Sequence, residues 1–261
     1  VTAFNNNGFS IGADASINTN SAEYVSWTFR KQPKFFDIVT YTGNGTAGAT
    51  IGHGLGATPS MLIIKNRDTS SSANWSVYHK DVFVSQSDPN ILYLNTNAAN
   101  ADDTNVLGNS SVTLNSNVFS LGDYTGTNKN SSPIIAYCFT EKTGFSKFGI
   151  YKGTGSTNGT FVYTGFKPSF IMVKRYDGGT ENWFTLDNKR DDGMNPRNSY
   201  IMPNASNSED ANNSSVNTDF LSNGFKLRAT TGALNGSGNS YMYMAFGQTI
   251  VGSNNVPATA E

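Results

Sequence analysis

The sequence predicts an all-β protein made of tandem antiparallel β-sandwich units with long polar loops. Three observations carry that expectation: a turn-rich neutral composition, short apolar runs at close spacing, and internal self-similarity. Asn (33), Ser (29), Thr (27) and Gly (26) make up about 44% of the 261 residues. Asn, Ser and Gly favour turns, whereas Thr and the aromatic and β-branched residues suit strands. The Glu, Lys, Ala and Leu pattern of surface helices is missing, so no helix of standard length is expected.

The self-similarity organises everything else. Tyr41-Thr-Gly-Asn-Gly45 matches Tyr151-Lys-Gly-Thr-Gly155, and Pro59-Ser-Met-Leu-Ile-Ile-Lys65 matches Pro168-Ser-Phe-Ile-Met-Val-Lys174. Asn74-Trp75 matches Asn182-Trp183, Asn117-Val-Phe119 matches Asn223-Gly-Phe225, and Ile134–Phe139 matches Tyr241–Phe246. The order of matches is constant, and the spacing between partners shrinks slightly along the unit, as small loop deletions would produce. The closing part occurs a third time, in Asn7-Gly-Phe9 followed by Tyr24-Val-Ser-Trp-Thr-Phe29. The chain therefore divides into closing strands at 1–34, one full unit at 35–143 and a second at 144–261. Two explanations fit the first segment. Either it ends a preceding unit of a longer polypeptide, as the start at Val1 rather than Met would allow, or it completes the sheet of a neighbouring unit or subunit.

Within the first full unit, seven apolar runs read as strands: Phe36–Tyr41, Ala49–Ile51, Met61–Lys65, Trp75–Tyr78, Ile91–Leu94, Val118–Leu121 and Ile134–Phe139. Turn residues between them give the spacing of a sandwich or jelly roll. Met61–Ile64, Phe170–Val173 and Tyr241–Phe246 are continuously apolar, so these strands should be covered on both faces. Pro59 and Pro168 precede the central strand, where a missing N–H costs the ladder least. The stretches Asn95–Ser116 and Asn204–Asp219 read as exposed loops.

Charge excludes several function classes. Eighteen Lys and Arg against 19 Asp and Glu leave a net charge of −1, with neither the basic excess of a nucleic-acid or anionic-membrane binder nor an acidic tail. No apolar stretch is long enough to span a bilayer as a helix, and no signal peptide is visible. The single Cys138 excludes an internal disulfide framework. It sits in an apolar run, aligned with Thr28 and Ala245, as a small core residue would.

Taken in order, Tyr41–Gly45, Gly52-His-Gly-Leu-Gly56, Pro59–Lys65, Trp75-Ser-Val-Tyr-His79, Leu94-Asn-Thr-Asn-Ala-Ala99 and Tyr241–Phe246 resemble an uncharacterised repeat domain of tail and tail-fibre proteins of bacteriophages, especially marine ones. The resemblance covers nearly the whole chain. It weakens in the second unit, where Gly52–Gly56 has become Phe161-Val-Tyr-Thr-Gly165 and the Tyr78-His79 pair is lost. It implies a virion surface component in tandem copies with a jelly-roll or concanavalin-like sandwich, and it implies no catalytic residues. It further suggests a homo-oligomer, a trimer as is usual for such fibres, associated with other virion proteins.

The search for chemistry returns little. His53 lies in a glycine-rich turn and His79 ends a strand. Neither has a counterpart in the second unit, and no Gly-x-Ser-x-Gly elbow marks a nucleophile. The acidic pairs Asp102-Asp103, Asp191-Asp192 and Glu209-Asp210 fall in polar loops, where they read as solvated turns rather than as glycosidase carboxylates or a Ca²⁺ site. Gly43-Asn-Gly45 and Gly153-Thr-Gly155 lack the Lys-Ser/Thr and helix of a phosphate loop and read as hairpin turns. No metal or cofactor is implied.

Aromatic residues give the one positive signal. Trp75 and Trp183, preceded by Asn74 and Asn182, are either core residues repeated with the fold or sugar-stacking platforms with an amide beside each ring. Trp27, aligned with Tyr137 and Met244, is expected in a core. The leading expectation is a non-enzymatic virion surface protein, a tail-fibre or appendage segment attaching to host-surface polysaccharide. The competing readings are a carbohydrate-binding module or depolymerase fragment, and a capsid decoration protein or extracellular filament subunit.

Overall fold

Residues 1–6, 8–68, 72–83, 85, 89–109 and 111–247 are described by a computed structural model. Asn7 and the stretch 248–261 of the second unit lie outside them. Val1–Lys31 forms one compact unit, and the chain from Gln32 onward forms another that holds both full repeats. The first carries strands β1 (Ala3–Asn5) and β2 (Gly8–Ser10), paired Phe4 to Phe9, and one helical turn, α1 (Ala15–Asn18).

In the first full repeat come β3 (Phe36–Thr42), β4 (Thr50–Gly52), β5 (Met61–Asn66), β6 (Ser76–His79), β7 (Asn90–Tyr93), β8 (Ala101–Asp102), β9 (Val118–Ser120), α2 (Thr125–Asn128) and β10 (Pro133–Phe139). The seven strands expected from the apolar runs are all present, and among the described residues the two-residue β8 is the one addition. All pairings are antiparallel. The main sheet runs β3-β10-β5-β6-β7-β8 and faces a small sheet, β4-β9. The second repeat has β11 (Ser146–Lys152), β12 (Phe161–Tyr163), β13 (Pro168–Arg175), β14 (Trp183–Asp187), β15 (Thr218–Leu221), β16 (Gly224–Leu227) and β17 (Ser240–Gly247). Its main sheet is β11-β17-β13-β14 and its small sheet β12-β16-β15. Each repeat is thus an antiparallel β-sandwich, and the closing strand β10 or β17 lies between two neighbours.

Alternation divides the central main-sheet strands between two apolar surroundings. One set packs inside its own sandwich: Leu62, Ile64, Ala136 and Cys138 against Phe119 and Leu121 in the first repeat, Ile171, Val173, Tyr243 and Ala245 against Phe225 and Leu227 in the second. Cys138 is therefore a buried core residue, as its alignment implies. The other set is also buried: Met61, Val77 and Phe139 in the first repeat, Phe148, Met172, Met244 and Phe246 in the second. These meet in a seam between the two main sheets. Phe139 lies 6.2 Å from Phe148 and 5.9 Å from Phe246, ring to ring, and Phe35 contacts Phe145 and Phe246 edge-on. The continuous apolar runs are explained by this arrangement: each central strand has a sandwich core on one side and, over part of its length, the other repeat on the opposite side.

Two expectations change. The polar stretches 95–116 and 204–219 are not simply exposed, because Val106, Leu107 and Val216 are buried in the cores. A few apolar side chains suffice to pin a loop whose composition is otherwise polar. Trp27, expected in a core, is 38% exposed.

Candidate functional site

The two tryptophans share one local scaffold. Asn95 donates its amide to Asn74 Oδ1 (2.9 Å) and accepts the Trp75 N–H (2.8 Å); Asn204 does the same for Asn182 (2.8 Å) and Trp183 (2.9 Å). An Asn on the following strand connection therefore brackets each Asn-Trp pair and fixes where the indole leaves the sheet. The asparagines act first on the backbone, a role that sequence alone did not separate from ligand binding.

Beyond that bracket the sites diverge. Trp183 is fully buried at the seam, its indole N–H donating 3.0 Å to the carbonyl of Tyr93 in the first repeat. It has no face to offer a sugar, which removes it as a stacking platform. The neighbouring Lys174 is fully buried too; it donates to Glu181 O (2.7 Å) and Asn97 O (3.1 Å), and burial pushes its ammonium down to about 8. Trp75 is only partly buried. Its ring lies 6.5 Å from that of Tyr137 with 17° between the planes, and the Lys65 ammonium sits 6.0 Å from the indole centroid. Lys65 also donates 2.6 Å to Ala73 O, which holds it in place. The partly buried Ile135 and the exposed Ile38 continue the same sheet face through strands β10 and β3. This is a partly exposed, nearly parallel aromatic pair with a cation beside it. Tyr137 and Lys65 were missed as site residues because cross-strand register, not sequence spacing, brings them to Trp75.

Both histidines are held by hydrogen bonds within the fold. His53 Nε2 donates to Asn115 O (3.1 Å), its Nδ1 accepts from Leu55 N–H (3.3 Å), and its ring stacks near Phe119. His79 is fully buried at the seam, with Nδ1 accepting from Asp81 N–H (3.2 Å) and Nε2 facing Tyr243 O (3.4 Å). Burial pushes its imidazole down to about 4, outweighing the raising effects of Asp81 and Glu141. Neutral His79 thus donates across the seam. At the matching position of the second repeat, Asp187 is buried against Arg190 (2.9 Å).

Asp103 accepts from Tyr93 OH (2.7 Å) and Asp210 from Tyr200 OH (2.8 Å), a clasp repeated in both units; Asp191 accepts from Asn198 and Ser199, and Glu209 faces Arg190. Among the described residues no three His, Cys, Asp or Glu side chains gather as a metal site, and no helix is long and apolar enough to cross a membrane.

One further pair of residues went unread in the sequence. Asn128 is buried, accepts the Asn44 N–H (2.9 Å), and donates to Thr46 O (3.0 Å) and Gly122 O (2.7 Å). Asn235 does the same with Thr154 N–H (2.9 Å), Ser156 O (2.9 Å) and Ala229 O (2.8 Å). The glycine pairs are accordingly not hairpin turns. They form a loop that wraps this asparagine, and a side chain at Gly43 or Gly153 would put its Cβ 2.3 Å from the carbonyl of Lys129 or Gly236. The signal available was Asn at matching positions of each unit, hidden among 33 asparagines.

A family model described as a domain of unknown function (DUF7483) matches residues 1–249, so the chain belongs to that family. Neither the curated proteins nor the solved structures include a match.

Proposed function

We propose that this member of the DUF7483 family is a non-enzymatic structural module on the surface of a bacteriophage particle, a tail-fibre or appendage segment whose first repeat attaches to host-surface glycan at Trp75 and Tyr137. The observation that carries the reading is the difference between equivalent tryptophans. Trp183 is spent on joining the repeats, while Trp75 remains on an accessible sheet face with a second aromatic ring beside it. Stacking supplies the contact, and Lys65 and Asn74 lie close enough in the fold to meet sugar hydroxyls. The resemblance of the repeat pattern to phage tail domains supports the setting. The strength of attachment comes from avidity, with each weak site multiplied by copies in a homo-oligomer, a trimer in this reading.

The test is binding of labelled protein, in its native oligomer, to candidate host cells before and after their surface polysaccharide is stripped. Saturable binding that disappears on stripping, and falls about tenfold or more in Trp75→Ala, is expected. An absence of binding would overturn the attachment role and leave a spacer, decoration or filament subunit.

A further inference from the structure

We infer that the free edge of strand β12 is a self-association site, at which a second copy of this chain adds its own β12 antiparallel to make one continuous sheet. The strand is the outer member of the small sheet of the second repeat and is bonded to β16 on one side only. Leu227 N–H donates to Thr160 O (3.0 Å), and Thr164 N–H donates to Asn223 O (3.0 Å). Residues 160, 162 and 164 therefore direct their backbone groups toward β16, and alternation turns the N–H and C=O of Phe161 and Tyr163 the other way. Among the described residues nothing bonds those outward groups. The Phe161 and Tyr163 side chains stand on the outer sheet face, 42% and 64% exposed, while Val162 between them packs into the core.

Two features identify the occupant. The first is symmetry within the strand: Thr160-Phe-Val-Tyr-Thr164 carries an aromatic residue on either side of Val162 and a threonine beyond each. Turned about a two-fold axis through Val162, the strand meets its copy with like opposite like. Phe161 and Tyr163 then exchange N–H···O bonds with the partner's Tyr163 and the partner's Phe161. Their rings form cross-strand aromatic pairs, and no charge opposes a charge. The second feature is a missing guard. Free edges usually carry a charge, a proline or a bulge that stops such pairing. The main-sheet edge β11 has Lys147 and Lys152, and β15, the other edge of this small sheet, has Asp219. Strand β12 has no such residue. The register shows that this edge is particular to the second repeat. Val162 pairs with Phe225 as Ile51 pairs with Phe119, so Thr50 and Gly52 of β4 stand where Phe161 and Tyr163 do. The first repeat keeps this edge small, and the second makes it large and aromatic. The contact is separate from the Trp75 face and does not depend on the attachment reading.

The test is sedimentation equilibrium of the full chain over a concentration series, with Phe161→Lys plus Tyr163→Lys as the guarded variant. The particle mass should double as concentration rises, and the two lysines should weaken that doubling about a hundredfold or more. Both side chains are exposed, so thermal unfolding should stay unmoved. A mass that never doubles, or that doubles equally well in the guarded variant, overturns the inference. Register is read separately by mixing Phe161→Cys chains with Tyr163→Cys chains and adding a short thiol cross-linker. The mixture should link about tenfold faster than either chain alone, because only unlike positions face each other across the axis. Equal rates overturn the two-fold pairing, and this experiment decides alone if the lysines disturb folding.

Discussion

Trp75 and Trp183 leave equivalent strands, follow equivalent asparagines and are bracketed by equivalent amides. One remains partly accessible beside Tyr137; the other is sealed beneath the carbonyl of Tyr93. The same divergence separates the partly buried Lys65 from the fully buried Lys174. Duplication supplied identical local chemistry, and packing one repeat on the other then assigned different tasks to matching residues. Features inside each sandwich stayed alike, whereas features on the outer sheet faces split into seam and surface.

The most severe way to break this comparison is to truncate the sealed tryptophan. Trp183→Ala removes a fully buried indole together with its hydrogen bond to the Tyr93 carbonyl, so a loss of about 4 kcal/mol is expected in denaturant unfolding. A loss below about 1 kcal/mol would mean that the seam does not depend on it.

The seam should also make stability depend on pH. His79 is held neutral by burial, with its pKa about 4 against an ordinary value of 6.5. The unfolded chain therefore binds the proton more readily between those values. The stability contributed by keeping His79 neutral is complete above pH 6.5 and is lost as pH falls toward 4, by on the order of 3 kcal/mol. In His79→Gln this part of the slope should vanish, while the remaining carboxylate-driven slope persists. Unfolding free energies measured for both proteins from pH 7 to 4 compare the two slopes directly, and identical profiles would refute the assignment.

The sandwich interiors test the opposite half of the comparison, the part expected to stay equal. Asn128→Ala and Asn235→Ala each remove three hydrogen bonds to backbone groups, and each should cost about 2 kcal/mol, with the pair matching within a factor of two. A large effect in one repeat alone would show that the wrapped loop has drifted in the other.

How far the sequence revealed all this follows the same division. Strands were legible because alternation, turn chemistry and repetition all mark them: Met61–Asn66 and Pro168–Arg175 announce two-sided burial by their unbroken apolar runs. The wrapped asparagines were not, since Asn128 and Asn235 look like any turn residue until the glycine loop closes over them. The candidate site was half legible. Repetition singled out Trp75, but Tyr137 is 62 positions away and joins it only through β10–β5–β6 pairing. Repetition also made Trp183 look equivalent, because a sequence compares each unit with its neighbour in the chain and not with what packs against it.

The gentlest change sharpens the comparison most. Trp75→Ala removes a partly exposed ring that contributes to stability through Tyr137 and Lys65, so a cost of about 1 kcal/mol is expected, well below that of Trp183→Ala. Its effect on glycan binding should nevertheless be the larger of the two. Trp183→Phe keeps an aromatic side chain in the seam and should leave cell binding unchanged while lowering stability modestly. Thermal unfolding and cell-binding measurements on Trp75→Ala and Trp183→Phe therefore form a crossed pair, one tryptophan moving binding and the other moving stability. If both substitutions altered binding equally, the open face around Trp75 would not be the contact, and the polar loops would have to supply it.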